Sequence, residues 1–321
     1  MNILERYIFF DEPSHKYTDD CGNIYTSVTT CIHKFVNPFE KEYWAKKKAF
    51  EANTSEASIK QQWANINKDS INKGNVKHNG FETAIKETSK FYKAVNIVTI
   101  NGILRCFSVS DLINNTDIGE ADINAFYTKI GYKYPLIFQT IEYYVNLGYK
   151  IYSEINVYDA VNLVSGTIDV LLVKGSEFVI IDWKTGRNEI KFEAGYYKKD
   201  KGTNELTNIW TPSVKYMLYP MDNIQDCVGN HYTLQLSIYA SMVESFGYTC
   251  KALILFHIQD TYILNNWGMP KKNEEGIYII DKTKPEIVKP HIISYLRDAA
   301  LKIRNYIGRD AIVSNQQKII M

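Results

Sequence analysis

The tightest constraint on the fold lies in mid-chain. Residues 166–173 and 177–186 are two apolar, β-branched runs separated by Lys174-Gly175-Ser176. That spacing predicts a β-hairpin with a three-residue loop. The apolar residues are nearly continuous, so both faces of the hairpin should be covered. Asp169, Asp182 and Lys184 interrupt them. Ionised groups in a buried strand are unfavourable unless they are paired or bind a cation.

Asp182 and Lys184 are two residues apart and share a strand face. Folding the hairpin about Gly175 brings Asp169 opposite Ile181 or Asp182, with directly opposed side chains about 5 Å apart. Two carboxylates that close repel when both are ionised. A hard divalent cation relieves the conflict, and oxygen ligands of this kind suit magnesium or manganese. Lys184 beside them could orient a water or meet developing negative charge. This is the set of groups wanted for metal-assisted attack on a phosphodiester.

The rest of the chain predicts an α/β protein. Short strands are expected at 7–10, 15–17 and 24–25, with a turn over 19–23. Ser27 should cap a helix start. A helix over 39–50 carries Lys46, Lys47 and Lys48, and a loop over 51–59 follows. A helix is expected from 59 to 67 and a separate one from 72 towards 92. In the second, His78, Phe81, Glu82 and Ile85 recur at helical spacing. A lone histidine on such a face is as readily a core residue as a ligand. Residues 94–132 have weak periodicity and allow a strand near 103–109. A helix over 136–147 ends at Gly148. A strand over 149–158 carries Glu154, whose carboxylate either adds a metal ligand or faces solvent.

After the hairpin come Tyr196, Tyr197, Lys198, Lys199 and Lys201. Such a run either grips a DNA strand by stacking and charge or forms a solvated loop. Residues 204–226 read as irregular. A helix over 231–245 puts Gln235 and Tyr239 on one face. A central strand over 250–258 and short strands at 262–264 and 277–280 follow. A closing helix over 290–307 has Ile292, Leu296, Ala299, Ile303 and Tyr306 as its stripe.

The net charge of +1 leaves no overall basic footprint, so nucleic-acid contact must come from local patches. The five Cys form no close pair, which argues against a disulfide framework or a zinc knuckle. No phosphate-cradling glycine loop is present, which weighs against an ATP-driven motor. Neither a signal peptide nor a membrane-spanning run is read, so no membrane association is expected.

The arrangement of Asp169 with Asp182-Trp183-Lys184 resembles the PD-(D/E)XK nuclease superfamily. Further motifs narrow the resemblance to its RecB-like branch, which includes the mitochondrial genome maintenance exonuclease and viral recombination nucleases. Gly74 to His78 match the branch's glycine and histidine on an early helix. Gly166 to Asp169 match its Gly-x-x-Asp stretch, and Gln235 and Tyr239 its Gln-x-x-x-Tyr. The resemblance covers residues 7–260. It implies a restriction-endonuclease-like core, a mixed central sheet flanked by helices. It further implies a nuclease domain over 1–265 with a helical N-terminal part and insertions, and C-terminal strands and a closing helix over 266–321 packed on that domain.

By the same resemblance, Asp169 and Asp182 bind magnesium or manganese, joined by His78 and the main-chain carbonyl of Trp183. Lys184 positions the attacking water or stabilises the pentacovalent phosphate. Gln235 and Tyr239 serve the DNA backbone and the strand channel. Some relatives hold an iron–sulfur cluster with one early and three late Cys. Nothing here follows Cys250, so no iron–sulfur cluster is expected.

The resulting expectation is a metal-dependent DNA exonuclease that leaves 5′-phosphate ends and acts in recombination, replication or repair. DNA is its partner, and a recombinase, a single-strand-binding protein or a helicase is a candidate second one. The expected location is the cytoplasm, that of the host if the chain is viral. A structure-specific endonuclease has the same metal site. An inactive DNA-binding protein or a virion component on a nuclease fold is the alternative from outside enzymes.

Overall fold

The computed structural model describes residues 6–89, 91–94, 99–100, 102–114, 122–186, 188–203, 205–273 and 277–320. The chain opens with β1 (Ile8–Asp11), β2 (Lys16–Asp19) and β3 (Ile24–Ser27). Ser27 caps α1 (Val28–His33), its side chain accepting from the Thr30 N–H. Next come α2 (Lys41–Glu51) and α3 (Glu56–Thr88).

α3 is one helix of 33 residues where two were expected. The polar stretch in its middle reads as a break. Backbone hydrogen bonding needs no apolar side chains, however, and the helix is anchored at its two ends. Ile59 packs against Ala45 and Ala49 of α2. Phe81, Ala84 and Ile85 enter the core. Gly74 lets the middle approach the sheet, since a Cβ there would sit 3.2 Å from Thr185 Oγ1.

The next segment holds α4 (Phe91–Ala94), β4 (Thr99–Ile100), β5 (Ile103–Leu104), α5 (Val109–Asn114) and α6 (Ile123–Lys129). The strand expected near 103–109 is thus only two residues long. Asp111 turns the chain into a helix by accepting from the Ser108 N–H and from buried Arg105. Then follow α7 (Pro135–Asn146), β6 (Lys150–Asp159), β7 (Val164–Lys174) and β8 (Glu177–Thr185). The last elements are β9 (Gly195–Lys199), β10 (Leu206–Pro212), α8 (Val228–Glu244), β11 (Thr249–Gln259), β12 (Ile287–Ile292) and α9 (Arg297–Ile320).

The main sheet is mixed and runs β1-β2-β3-β7-β8-β11-β12, with β6 also pairing β7. The β3–β7 and β8–β11 pairs are parallel. Helices α3, α6 and α7 pack on one face. Helices α1, α8 and α9 cover the other.

Several boundaries differ from expectation. The central hairpin turns in two residues, because Lys174 pairs with Glu177 and Gly175 takes φ +57°. A glycine at the first central position is what a tight II′ hairpin turn requires. Residues 196–199 are not a loop, nor is 204–226 wholly irregular, since β9 and β10 pair into a ribbon. Residues 262–264 and 277–280 make only isolated bridges, such as Tyr262 with Ile280. Residues 287–292 form an edge strand where the closing helix was expected to begin. Pro290 has no N–H to give a helix but is tolerated at a sheet edge. Ile292 is therefore 77% exposed, and the buried stripe of α9 is Ala300, Ile303, Arg304 and Ile307.

Arg304 ties α9 to the sheet. Its guanidinium donates to Asp159 Oδ2 at 2.6 and 2.8 Å and to the Ser241 carbonyl at 2.9 Å. Burial alone would raise the Asp159 carboxyl, but Arg304 and Asn162 outweigh it and hold it below the ordinary value. Removing one partner of a buried pair strands the other charge. Arg304→Ala should therefore cost about 3–5 kcal/mol in urea unfolding at neutral pH. A depressed carboxylate stabilises the fold above the unfolded value of about 3.9, and that contribution is lost as pH falls through the lower folded value. The stability gap between the natural chain and Asp159→Asn should close on acidification below about pH 4, as measured by urea titrations.

Candidate metal centre

The site lies where the regular ladder stops. β6 pairs with β7 at Ser153–Val170 and at Ile155–Ile168, but Glu154 and Asp169 between them do not pair. β7 pairs with β8 only as far as Val170–Ile181, one step short of Asp169 and Asp182. Side-chain direction also changes there. Ile151 and Val170 pack on the α3 and α7 side, whereas Ile155 and Ile168 pack on the α8 side. Residues an even number apart on an unbroken strand would share a face.

The break has a visible cause. Glu154 takes φ +53°, a left-handed conformation that is unfavourable for a residue with a Cβ. The Tyr92 hydroxyl holds the preceding residue, donating to the Ser153 carbonyl and accepting from its N–H, both at 2.6 Å. The Ser153 hydroxyl donates to the Asp169 carbonyl at 3.0 Å. In place of a ladder bond, the Trp183 N–H donates to Asp169 Oδ2 at 3.1 Å.

Three side chains converge at the gap. Potential ligand atoms of His78, Glu154 and Asp169 all lie within 4.8 Å of one another. His78 Nδ1 is 3.5 Å from Asp169 Oδ1. α3 delivers His78, and Phe81 one turn on fixes the rotation of the helix by stacking on Trp183 with centroids 4.3 Å apart. This group could coordinate a divalent cation.

Asp182 lies outside that group. Lys184 Nζ hydrogen-bonds Asp182 Oδ1 at 3.0 Å. It also lies 2.7 Å from Oδ2, but at an angle that leaves this buried oxygen without a hydrogen bond. Asp169 and Asp182 were expected to hold one ion between them. Asp169 lies with His78 and Glu154, and the lysine two residues along the strand hydrogen-bonds Asp182.

The electrostatics match a crowded acid cluster. Burial, followed by the Asp182 charge, holds the Asp169 carboxyl well above its ordinary value. Burial and the Glu82 charge push Glu154 up to about 7. Burial lowers His78, with the Asp182 charge opposing. Burial would lower Lys184 too, but the charges of Asp182 and Asp169 win and raise it. A cation would supply the positive charge these acids lack.

α8 covers the site from the opposite face. Gln235 Nε2 donates to the Tyr239 hydroxyl at 3.0 Å. Tyr239 closes over Gly166, where a Cβ would lie 2.6 Å from Tyr239 Cε1 and 3.1 Å from Val28 Cγ2. Tyr232 on the same helix puts its ring 5.4 Å from Lys184 Nζ. Sequence reasoning missed Tyr232, although its spacing of three and seven from Gln235 and Tyr239 was available. It also missed Tyr92, for which the sequence carries no signal.

The aromatic and basic run lies on the β9–β10 ribbon and is divided between its faces. Tyr196 and Lys198 point one way, Tyr197 and Lys199 the other. Tyr196 is 58% exposed. Tyr197 packs edge-on against Trp210 with centroids 4.9 Å apart. Lys201 lies exposed in the turn beyond.

A second acidic group, Asp19, Asp20 and Cys21, also has ligand atoms within 4.8 Å of one another. Its Asp19 carboxylate already accepts from the N–H groups of Cys21 and Asn23 and from the Tyr25 hydroxyl. Those bonds hold the β2–β3 turn. Among the described residues, no helix is long and apolar enough to cross a membrane.

Comparisons with family models, with curated proteins and with solved structures found no match. The fold and site themselves define a mixed α/β protein with a half-buried imidazole–carboxylate cluster that could hold a divalent cation.

Gly166→Ala should displace Tyr239 and destabilise the chain by about 1–3 kcal/mol in urea unfolding. Glu154→Gly should do the reverse in EDTA. It relieves left-handed strain and removes a buried acid, so unfolding should become about 1 kcal/mol harder while manganese binding, followed by calorimetry, falls away.

Proposed function

We propose that this chain is a metal-dependent deoxyribonuclease on a restriction-endonuclease-like core, resembling the RecB-like PD-(D/E)XK branch. It acts as an exonuclease and leaves 5′-phosphate ends. The observation that carries this reading is the convergence of His78, Glu154 and Asp169 beside the Asp182–Lys184 pair, where the β6–β7–β8 ladder opens.

The donor set fits a magnesium or manganese ion. Carboxylate oxygens suit either, and an imidazole tilts the balance towards manganese. His78, Glu154 and Asp169 would hold the ion, with Asp182 and the Trp183 carbonyl as further candidate donors. An ion there would supply Lewis acidity towards a phosphoryl oxygen and a more acidic bound water.

The chain's own groups do the rest. Lys184 keeps its proton, because two acids face it, and presents a fixed positive charge where the scissile phosphate gains negative charge. Asp182 aims that ammonium. Gln235 and Tyr239 wall the site from the α8 side, and the Tyr232 ring faces the lysine ammonium. Recognition of the phosphate backbone makes the enzyme sequence-tolerant. DNA is the substrate, and a recombinase, a single-strand-binding protein or a helicase would present or receive it in recombination, replication or repair.

The test is a time course on end-labelled linear, circular and single-stranded DNA, with magnesium, with manganese and with EDTA. Linear DNA should be digested from an end, circles should survive, and EDTA should stop the reaction. Cleavage of circles would make the enzyme an endonuclease. Lys184→Ala should lower the rate by at least about 100-fold while DNA binding holds, and it should lower the unfolding midpoint because it strands the buried Asp182. Equal loss of cleavage and binding would point to a binding protein on this fold.

A further inference from the structure

One row of side chains leads away from the catalytic lysine and is used by nothing described above. Lys184 on β8 is the register partner of His257 on β11, and His257 is the register partner of Lys289 on β12. Register partners in a sheet project from the same face, about 4.8 Å apart. The three therefore form a line across the α8 face, perpendicular to the strands.

The line continues beyond the sheet. Glu189 Oε1 is 3.0 Å from Lys289 Nζ, and its Oε2 is 2.7 Å from Lys191 Nζ. Lys191 Nζ lies 5.6 Å from the Tyr197 ring centroid and 5.5 Å from that of Trp210. Neighbouring register positions thus lead from the catalytic lysine to Lys289, and contacts run from Lys289 to the aromatic pair on one face of the β9–β10 ribbon.

Two ammonium groups mark the outer end of the row. Lys191 and Lys289 share the Glu189 carboxylate, and their hydrogen bonds hold it ionised, down at about 2. Glu193 accepts from the Trp210 indole N–H at 3.2 Å, so the set is charge-balanced and a phosphate takes its place on the lysines by displacing a carboxylate. His257 between the lysines is 1% exposed, and neither ring nitrogen has a hydrogen-bond partner. The backbone of Gly186 is close by, without good hydrogen-bond geometry. Burial pushes the His257 imidazole towards its neutral form, so it spaces the two ammonium groups without adding to their repulsion. Gly186 leaves room for it, since a Cβ there would lie 3.2 Å from His257 Nε2.

We propose that this row is the track of a single DNA strand, with backbone phosphates on Lys289 and Lys191 and a base against the Tyr197–Trp210 pair. The track rests on the nuclease reading, because it starts at Lys184. Cationic side chains followed by an aromatic platform are what a single strand needs, since every base has a stackable face and every phosphate a charge. A duplex would keep its bases from that platform.

Another aromatic and basic surface competes for the same ligand. On α2, Tyr43 is 56% and Phe50 90% exposed, near Lys46, Lys47 and Lys48. α2 packs on the start of α3, however, and the rise from Ile59 to His78 carries it about 28 Å from the site.

The test is binding of a fluorescein-labelled oligothymidylate to the full chain in EDTA, read by anisotropy across a range of salt. Lys289→Ala and Trp210→Ala should each weaken binding by about tenfold. Lys289→Ala should also reduce the magnitude of the logarithmic salt slope by about 0.7. Lys289→Gln should behave as Lys289→Ala, and its 42% exposed site makes misfolding no explanation. Lys251→Ala, at the other end of β11, should bind as the natural chain does. Unchanged affinity and salt slope in Lys289→Ala and Trp210→Ala would overturn the track, as would their retention alongside a loss in Tyr43→Ala. Digestion of DNA by the natural chain with magnesium separates the two failures. If it digests while those variants bind normally, the track is wrong and the nuclease stands. If it neither digests nor binds, the nuclease reading fails and takes the track with it.

Discussion

The hydrogen bond from the Trp183 N–H to the Asp169 carboxylate is the interaction on which the site depends. It stands where a strand-to-strand bond should be. By taking that place, an acidic side chain holds β7 and β8 apart at their ends and is itself held in the gap. The energy of a regular ladder is given up over one step on each side of β7. What is gained is a cleft in the middle of a covered sheet, lined by groups that no closed ladder could bring together.

Keeping that cleft open takes support from outside the hairpin. Tyr92 satisfies the Ser153 backbone where its strand deforms, which allows Glu154 its left-handed backbone. α3 brings His78 in on one side, registered by the Phe81–Trp183 stack. α8 brings Tyr232, Gln235 and Tyr239 in on the other, and Tyr239 fits only because residue 166 has no side chain. These groups come from chain positions far apart, yet each is fixed by a short-range contact to the same few residues of β7 and β8. Strain and acid crowding concentrated at one point, with well-satisfied packing around it, mark a place where stability has been given up for a cluster that could hold a cation.

Much of the fold was legible in the sequence because its signals are local. Two β-branched runs around Gly175 could hardly be anything but a hairpin. Ser27 starts a helix with its hydroxyl cap, and Gly148 and Gly247 follow helix ends in left-handed conformations that few other residues tolerate. The misreadings fall where local pattern and tertiary contact disagree. The polar middle of α3 looked like a break, and only its two anchored ends make it continuous. Residues 290–292 looked like the start of a helix, and only pairing with β11 makes them part of an edge strand.

At the site, the residue types and their order were set by the sequence alone. Asp169, Asp182 and Lys184 announce themselves as charges inside apolar strands, because burial makes an unpaired charge expensive wherever it occurs. Which acid faces which partner was decided only by the folded chain. The two-residue turn, the interrupted pairing and the face change at Glu154 direct Asp169 to His78 and Glu154 and leave Asp182 to Lys184. Side-chain direction at a break in a strand depends on what packs against it from other elements, and no periodicity along the chain carries that information.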